Sequence, residues 1–409
     1  MNNAQVIAGL RTTDNFAVDE RPTNFREFIL FRNPNGSAPI TALMSKTKSE
    51  SVDDPQFSWW DEPNDIIRVQ NSGARAAGDT AITLTVADPS ASAPGNRWSS
   101  GQHLVPGDLL LVEKTETATY DNEIVMVRAV NSSTSIIIDR GVGGTTAATI
   151  PDTAYLTKIG TAFGEGSAAP RSASRNPLKQ YNYCQIFKTT YSLSETVTRT
   201  STRTGDPLKN DKKRKSFDHA RDIEFALMFG VRYETSDDDG NPIRTMGGLR
   251  YLLPSTQQKI YGGAATFSTF LDDVYPVFDF DTEAGDERIV FCGNGALNEL
   301  NKMAKNNGTM YFGDTISMFG MNLRKLVLPQ GTLYLKTHPL MNRHARYTNS
   351  MFILDPTAMV WRYLRDTKSK DNIQGNDEDS RKGMWLTEAG LELRYFGMTC
   401  KYLGNFTAA

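Results

Sequence analysis

Apolar positions recur at three- and four-residue spacings through one long stretch, DPLKNDKKRKSFDHARDIEFALMFGVRYET. Phe217, Ala220, Ile223, Leu227 and Val231 fall on one face, so the pattern predicts a helix over 206–235. Asp206 can accept backbone N–H groups as its N-cap, and Pro207 suits the first helical position, where a missing N–H loses nothing. A second amphipathic helix is expected in TFSTFLDDVYPVFDF, with Phe267, Leu271, Val274 and Phe278 on one face and Pro276 disturbing it. RIVFC (288–292) reads as a buried strand. Asn294 caps the helix that follows, with Leu297, Leu300, Met303 and Ala304 inward and Gly308 at its end. That is a strand-to-helix unit of an α/β domain. KLVLPQGTLYLKTHP, SMFILDP and MVWRYLR read as strands, and LELRYFGMTCKYL (391–403) as a closing strand or pair of strands. IQGNDEDSRKG (373–383) reads as a charged loop.

The pattern changes over 65–160. Aromatics nearly vanish, and four short runs alternate in the manner of strands: AITLTV (81–86), DLLLVEK (108–114), EIVMVRAV (123–130) and SIIIDR (135–140). Turn residues such as Pro106, Gly107 and Asp108 separate them. Short strands at regular spacing with no helix predict a small β-barrel or sandwich. GEGSAAPRSASRNP (164–177) reads as a linker, so this module sits within a longer excursion. The chain returns through the β-prone YNYCQIFKTTYSLSETVTRTSTRT. Residues 1–40 show little periodicity and read as an extended arm. SDDDGNPI begins like a calcium loop, but Pro242 and Gly248 stand where a glycine and a glutamate belong, so it reads as a turn.

Composition narrows the class. With 409 residues the chain has room for two or three domains, and its net charge of −2 gives no global field for nucleic acid or an anionic membrane. No window reaches the roughly 20 apolar residues of a membrane span, and the N-terminus lacks the apolar centre of a signal peptide. Cys184, Cys292 and Cys400 are odd in number and far apart, which fits a reducing compartment and small buried hydrophobes.

Chemistry is sparse. Nucleophile-elbow, phosphate-loop, dinucleotide and zinc-helix motifs are missing, so the chain reads as a non-enzyme without cofactor or metal. His338 and His344 are six apart, too far for one i,i+4 face. Two features stand out as contact candidates. Phe57, Trp59 and Trp60 lie between acidic residues and prolines; adjacent tryptophans cannot both face one side of a strand. Either one packs inward and the other meets something else, or both close a local cluster. Lys212, Lys213, Arg214 and Lys215 lie near a helix start, where the dipole disfavours cations. The run is either a solvated helix start or a site for an outside anion, with Asp211 and Asp218 offsetting part of the charge.

The order of parts resembles the major capsid protein of tailed bacteriophages, with the Hong Kong-phage-type capsid fold. TRTGDPLKNDKKRKSFDHARDIEFALMFG is similar to its spine-helix region, and SMFILDPTAMVWRYLRD and GLELRYFGMTCKYLGNF to its closing segments. The resemblance implies an α+β class. Residues 1–40 become an N-terminal arm, and 41–64 and 161–195 the legs of an extended loop carrying the 65–160 β module. Residues 196–261 and 373–409 form a peripheral domain with a spine helix at 206–235, and 262–372 an axial domain. It also implies a shell of hexamers and pentamers in a virion, assembled in the host bacterial cytoplasm. Portal, and scaffold or cement proteins, would be partners; DNA would be packaged without sequence-specific binding, and no membrane is involved. For the basic run it favours carboxylates of an adjoining subunit, with Asp377, Glu378 and Asp379, or Asp53 and Asp54, as candidates. The alternative is a polymer- or carbohydrate-binding or hydrolytic protein with an accessory β module.

Overall fold

The computed structural model describes residues 38–62, 66–85, 100–113, 123–172, 177–200, 202, 205–307, 312–318 and 321–407. The arm up to residue 37 and Gly308 lie outside them. In chain order come α1 (Pro39–Met44), β1 (Ser49–Ser51) and β2 (Gln56–Asp61). Then follow β3 (Arg68–Asn71), β4 (Ala81–Thr85), β5 (Asp108–Val112), β6 (Ile124–Ser132), β7 (Ser135–Asp139) and β8 (Tyr155–Thr161). β9 (Leu178–Tyr183), β10 (Gln185–Ser194) and α2 (Glu195–Arg199) lead to α3 (Pro207–Phe229). The hairpin β11 (Tyr233–Ser236) and β12 (Pro242–Thr245), α4 (Leu249–Leu252), β13 (Gln258–Ile260) and α5 (Phe267–Val274) follow. The rest is β14 (Glu287–Cys292), α6 (Asn294–Asn307), β15 (Phe312–Met318), β16 (Met321–Val327), β17 (Thr332–Thr337), β18 (Met351–Leu354), β19 (Met359–Asp371), β20 (Ser380–Leu393) and β21 (Lys401–Gly404).

These build an α+β subunit. A mixed seven-stranded sheet runs β13-β21-β18-β14-β17-β16-β15. On its central strand β14, Ile289 and Phe291 face one core while Val290 and Cys292 face the other. The continuous apolar run RIVFC is therefore what a strand covered on both faces requires. One core holds Ile223, Leu227 and Met228 of α3 with Ile40 and Leu43 of α1; the other holds Phe270 of α5 with Leu300 of α6. A second sheet, β1-β19-β20-β10, lies against α3. The excursion leaves through the antiparallel ribbon β2–β9 and ends in a closed barrel, β3-β4-β7-β6-β5-β8, filled by residues such as Val69, Ile82, Leu110, Val125, Ile136 and Leu156.

Several boundaries differ from the sequence pattern. The long helix starts as expected, with Asp206 accepting the N–H groups of Leu208 and Lys209, but ends at Phe229 rather than at 235. Gly230 departs in an extended conformation, and a Cβ there would lie 2.5 Å from the Ala226 carbonyl oxygen and 2.6 Å from that of Met246. Val231 is thus off the helix and exposed, and the buried stripe is His219, Ile223, Glu224, Leu227 and Met228. The 267–278 helix stops at Val274 and continues as a 3-10 turn, Tyr275–Phe278, because Pro276 has no N–H to donate. Residues 380–383 of the expected charged loop belong to β20, so the loop is shorter. Two barrel strands, β3 and β8, had no clear pattern of their own.

Candidate assembly interface

The root of the extended ribbon is set by alternation along β2. Phe57 and Trp59 point into the body and are 7% exposed; Trp60 points out and is 62% exposed. The inward rings stack with centroids 6.0 Å apart, over Cys184 and beside Leu364. Of the three aromatic candidates, two are therefore consumed within their own chain, and Trp60 alone faces outward, with the Lys179 ammonium 6.0 Å from its ring centroid. Gly390 of β20 makes room for this root: a Cβ there would lie 2.5 Å from the Tyr183 carbonyl oxygen and 2.7 Å from the Phe57 ring. Gly390→Val is expected to push the ribbon off the sheet and cost about 1–3 kcal/mol by overpacking. Thermal unfolding of that variant checks it; a wild-type midpoint would sink the idea.

Two polar clamps complete the root. Buried Asn182 donates to the carbonyls of Gly247 (2.9 Å) and Leu391 (2.7 Å) and accepts the Gly247 N–H (2.8 Å). Asp61 accepts the Phe396 N–H at 3.1 Å. That N–H belongs to a left-handed turn in which Tyr395, Phe396 and Gly397 have φ of 55°, 49° and 67°. Two non-glycine residues there are strained, and the clamp helps hold them. Burial raises the Asp61 carboxyl above its usual range, against the Phe396 and Tyr395 N–H groups that favour its charge.

The basic run is compensated within its own chain. Lys212 Nζ meets both Asp371 oxygens, at 2.9 and 2.8 Å. The Lys212 ammonium, then the Tyr191 and Ser369 hydroxyls, hold the Asp371 carboxyl down at about 2. Arg214 lies 4.0 Å from Asp211, and Lys215 3.7 Å from Asp218. In the loop 372–379, Glu378 pairs with Lys382 at 2.5 Å, while Asp377 and Asp379 are exposed. Among the described residues, Lys212, Arg214 and Lys215 pair with Asp371, Asp211 and Asp218 rather than with the acids of this loop. Asp53 and Asp54 are exposed beside the ribbon root, and Asp54 accepts the Gln56 N–H at 2.7 Å.

A buried carboxylate that the periodicity did not reveal sits at the centre. Glu224 is fully buried on α3. One oxygen accepts the Ile40 N–H and bonds His338 Nε2, both at 2.7 Å; the other accepts the Thr41 N–H (2.7 Å) and hydroxyl (2.6 Å). It ties α1 to α3 and to the end of β17. Its position four residues after Ala220 and three before Leu227 puts it on the apolar stripe, where a lone carboxylate needs buried donors. Alongside, Glu392 bonds Arg362 and Arg394 at 2.5 and 2.7 Å, Glu50 joins both arginines, and β1 is thereby fixed on β19. The three cysteines are free and buried, with thiols pushed up to about 12 by burial.

The chain matches the family described as SU10 major capsid protein over residues 8–403. It is similar to the major capsid protein of Pseudomonas phage PaMx41, 24% identical over 384 residues that span 91% of this chain and 87% of that protein. Among solved structures, it is similar to the capsid protein of a native GTA particle (10% identity, 95% of this chain and 96% of that one, TM-score 0.45). It is also similar to the capsid protein of Myoviridae phage XM1 (9% identity, 97% and 99%, TM-score 0.43).

Proposed function

This chain belongs to the SU10 major capsid protein family, and on that premise we propose that its subunits close into hexamers and pentamers of an icosahedral phage head around double-stranded DNA. The observation that carries the reading is the family match, which runs through nearly the whole chain. Two features of the fold support it. The ribbon β2–β9 and the barrel extend from the body on an excursion that enters and leaves at one place. Trp60, Lys213 and Arg214 face outward, as does the loop Asp377, Glu378 and Asp379; in this reading they meet neighbouring subunits. In this reading the barrel stands on the outer surface, α3 with the sheet β1-β19-β20-β10 forms the peripheral domain, and the part around α5, α6 and β14–β17 meets at the capsomer centre. Assembly occurs in the host cytoplasm, with a portal and with scaffold or cement proteins where they are used. DNA is enclosed without sequence readout, in keeping with the net charge of −2.

Electron microscopy of the purified full-length chain tests this. Capsomers or closed shells are expected. Monomers at every concentration, with the fold intact by circular dichroism, would overturn it and return the polymer-binding alternative.

A further inference from the structure

Among the described residues, two oppositely charged surfaces of the subunit carry side chains without partners. The first is a face of the sheet β1-β19-β20-β10. Thr189, Thr387 and Asp371 point to α3, where they bond His219 and Lys212. Their neighbours along each strand therefore point the other way. Register sets that face in rows. Lys188, Leu386 and Lys368 form one row; Thr190, Met384 and Lys370 form the next. Above them lie Ile186, Glu388 and Arg365, and Glu388 bonds Arg365 at 2.5 Å. Asp54 borders that end, next to Pro55, whose carbonyl accepts the Cys184 N–H at 2.7 Å. Lys382, below, pairs with Glu378. Among the described residues, Lys188, Lys368 and Lys370 have neither an ion pair nor a side-chain hydrogen bond. Like charges gathered on one sheet face repel, and an outside anion relieves them.

The second surface is the hairpin β11–β12. Its residues are exposed or half-exposed throughout, Tyr233 and Ile243 among them at 60% and 46%. A two-stranded ribbon is marginal in water by itself, and this one touches the body through Glu234, which bonds the Tyr183 hydroxyl. Its turn carries Asp237, Asp238 and Asp239. Asp237 is occupied, accepting from the N–H groups of Asn241 (2.7 Å) and Asp239 (3.0 Å). The carboxylates of Asp238 and Asp239 have no partner among the described residues.

We propose that the Asp238–Asp239 tip of one subunit seats on the Lys188, Lys368 and Lys370 face of a second copy, with the apolar side of the ribbon over the half-buried Met384. This rests on the self-assembly reading above. Each chain carries both halves, so the contact is heterologous and propagates around a ring or across a shell. Met384, half-buried beside Lys370, distinguishes this partner from a phosphate backbone, which would leave its side chain uncovered.

The test compares full-length wild type, Lys368→Glu with Lys370→Glu, and a charge swap adding Asp238→Lys with Asp239→Lys, all expressed without a genome. The lysine reversal is expected to lower closed-shell yield about tenfold with an unchanged circular dichroism spectrum, and the swap to restore most of it. Wild-type yield from the reversal overturns the proposal, and so does a loss that the swap leaves in place. Normal empty shells from the reversal, with weakened retention of DNA after packaging, would assign the face to nucleic acid and equally overturn it. Failure of wild type itself to assemble would instead count against the shell reading.

Discussion

Glu224→Ala is expected to lower the stability of the unassembled subunit by about 3–5 kcal/mol, the range for removing one partner from a buried charged cluster. The residue is fully buried, and its two oxygens serve Ile40, Thr41 and His338. Alanine leaves two backbone N–H groups, the Thr41 hydroxyl and an imidazole nitrogen without an acceptor, and opens a void under α1. Each unsatisfied group costs about 1–3 kcal/mol in such a setting. Glutamine should recover less than half the loss, because its amide NH2 would confront an N–H on one side. A downward shift of roughly 10 °C in the transition that contains α3 is the expected readout. Function should suffer further. α1 directly precedes β1, so releasing it frees the base of that strand, and particle yield should fall even where the subunit still folds. An unchanged transition would mean that α1 is held by its apolar contacts alone.

The second large effect belongs to the barrel. Glu123 is fully buried and bonds Arg140 at 2.6 and 2.8 Å; it also accepts the N–H groups of Gly141 (3.1 Å) and Ala148 (3.3 Å). Burial opposes its charge, but the Arg140 guanidinium and those N–H groups outweigh it and hold the carboxyl below its usual range. Glu123→Ala would strand the guanidinium among backbone carbonyls, at a cost of about 3–5 kcal/mol. A module of this size has a total stability of about 5–15 kcal/mol, so the barrel should unfold or nearly so. The cores of the body share no residue with it, so their transition should persist. Calorimetry that shows one transition lost and the other kept is the expected result; loss of both would mean the barrel does not fold on its own. The pH dependence has a definite sign. A depressed carboxyl stabilises fully above its unfolded value, 4.5 for this group, and that contribution fades as pH falls through the lower folded value. The wild-type barrel should therefore lose stability on acidification below about pH 4.5, and the alanine variant should lack that component.

What the sequence determined by itself was local. The Asp206–Pro207 start of α3, the apolar run of β14 and four of the six barrel strands follow from caps, turns and periodicity that act over a few residues. The order of those parts carried the family resemblance, and the match to residues 8–403 bears it out. The offsetting of the basic run by Asp211 and Asp218 was also legible, because helical neighbours lie three and four residues apart.

The remainder needed the tertiary structure, since each decision joins residues far apart in the chain. Lys212 finds Asp371 across 159 residues, and Glu224 reaches Ile40 across 184. α3 ends at Phe229 because the backbone of 246–248 packs against Gly230, and Gly248 donates to its carbonyl at 2.9 Å. β3 and β8 are mixed in polarity and become strands by pairing with each other and with strands already in the barrel. Alternation along β2 required Trp59 and Trp60 to part. Trp59 shares the inward face of Phe57, and Gly390, lacking a side chain, leaves room for the Phe57 ring against the sheet.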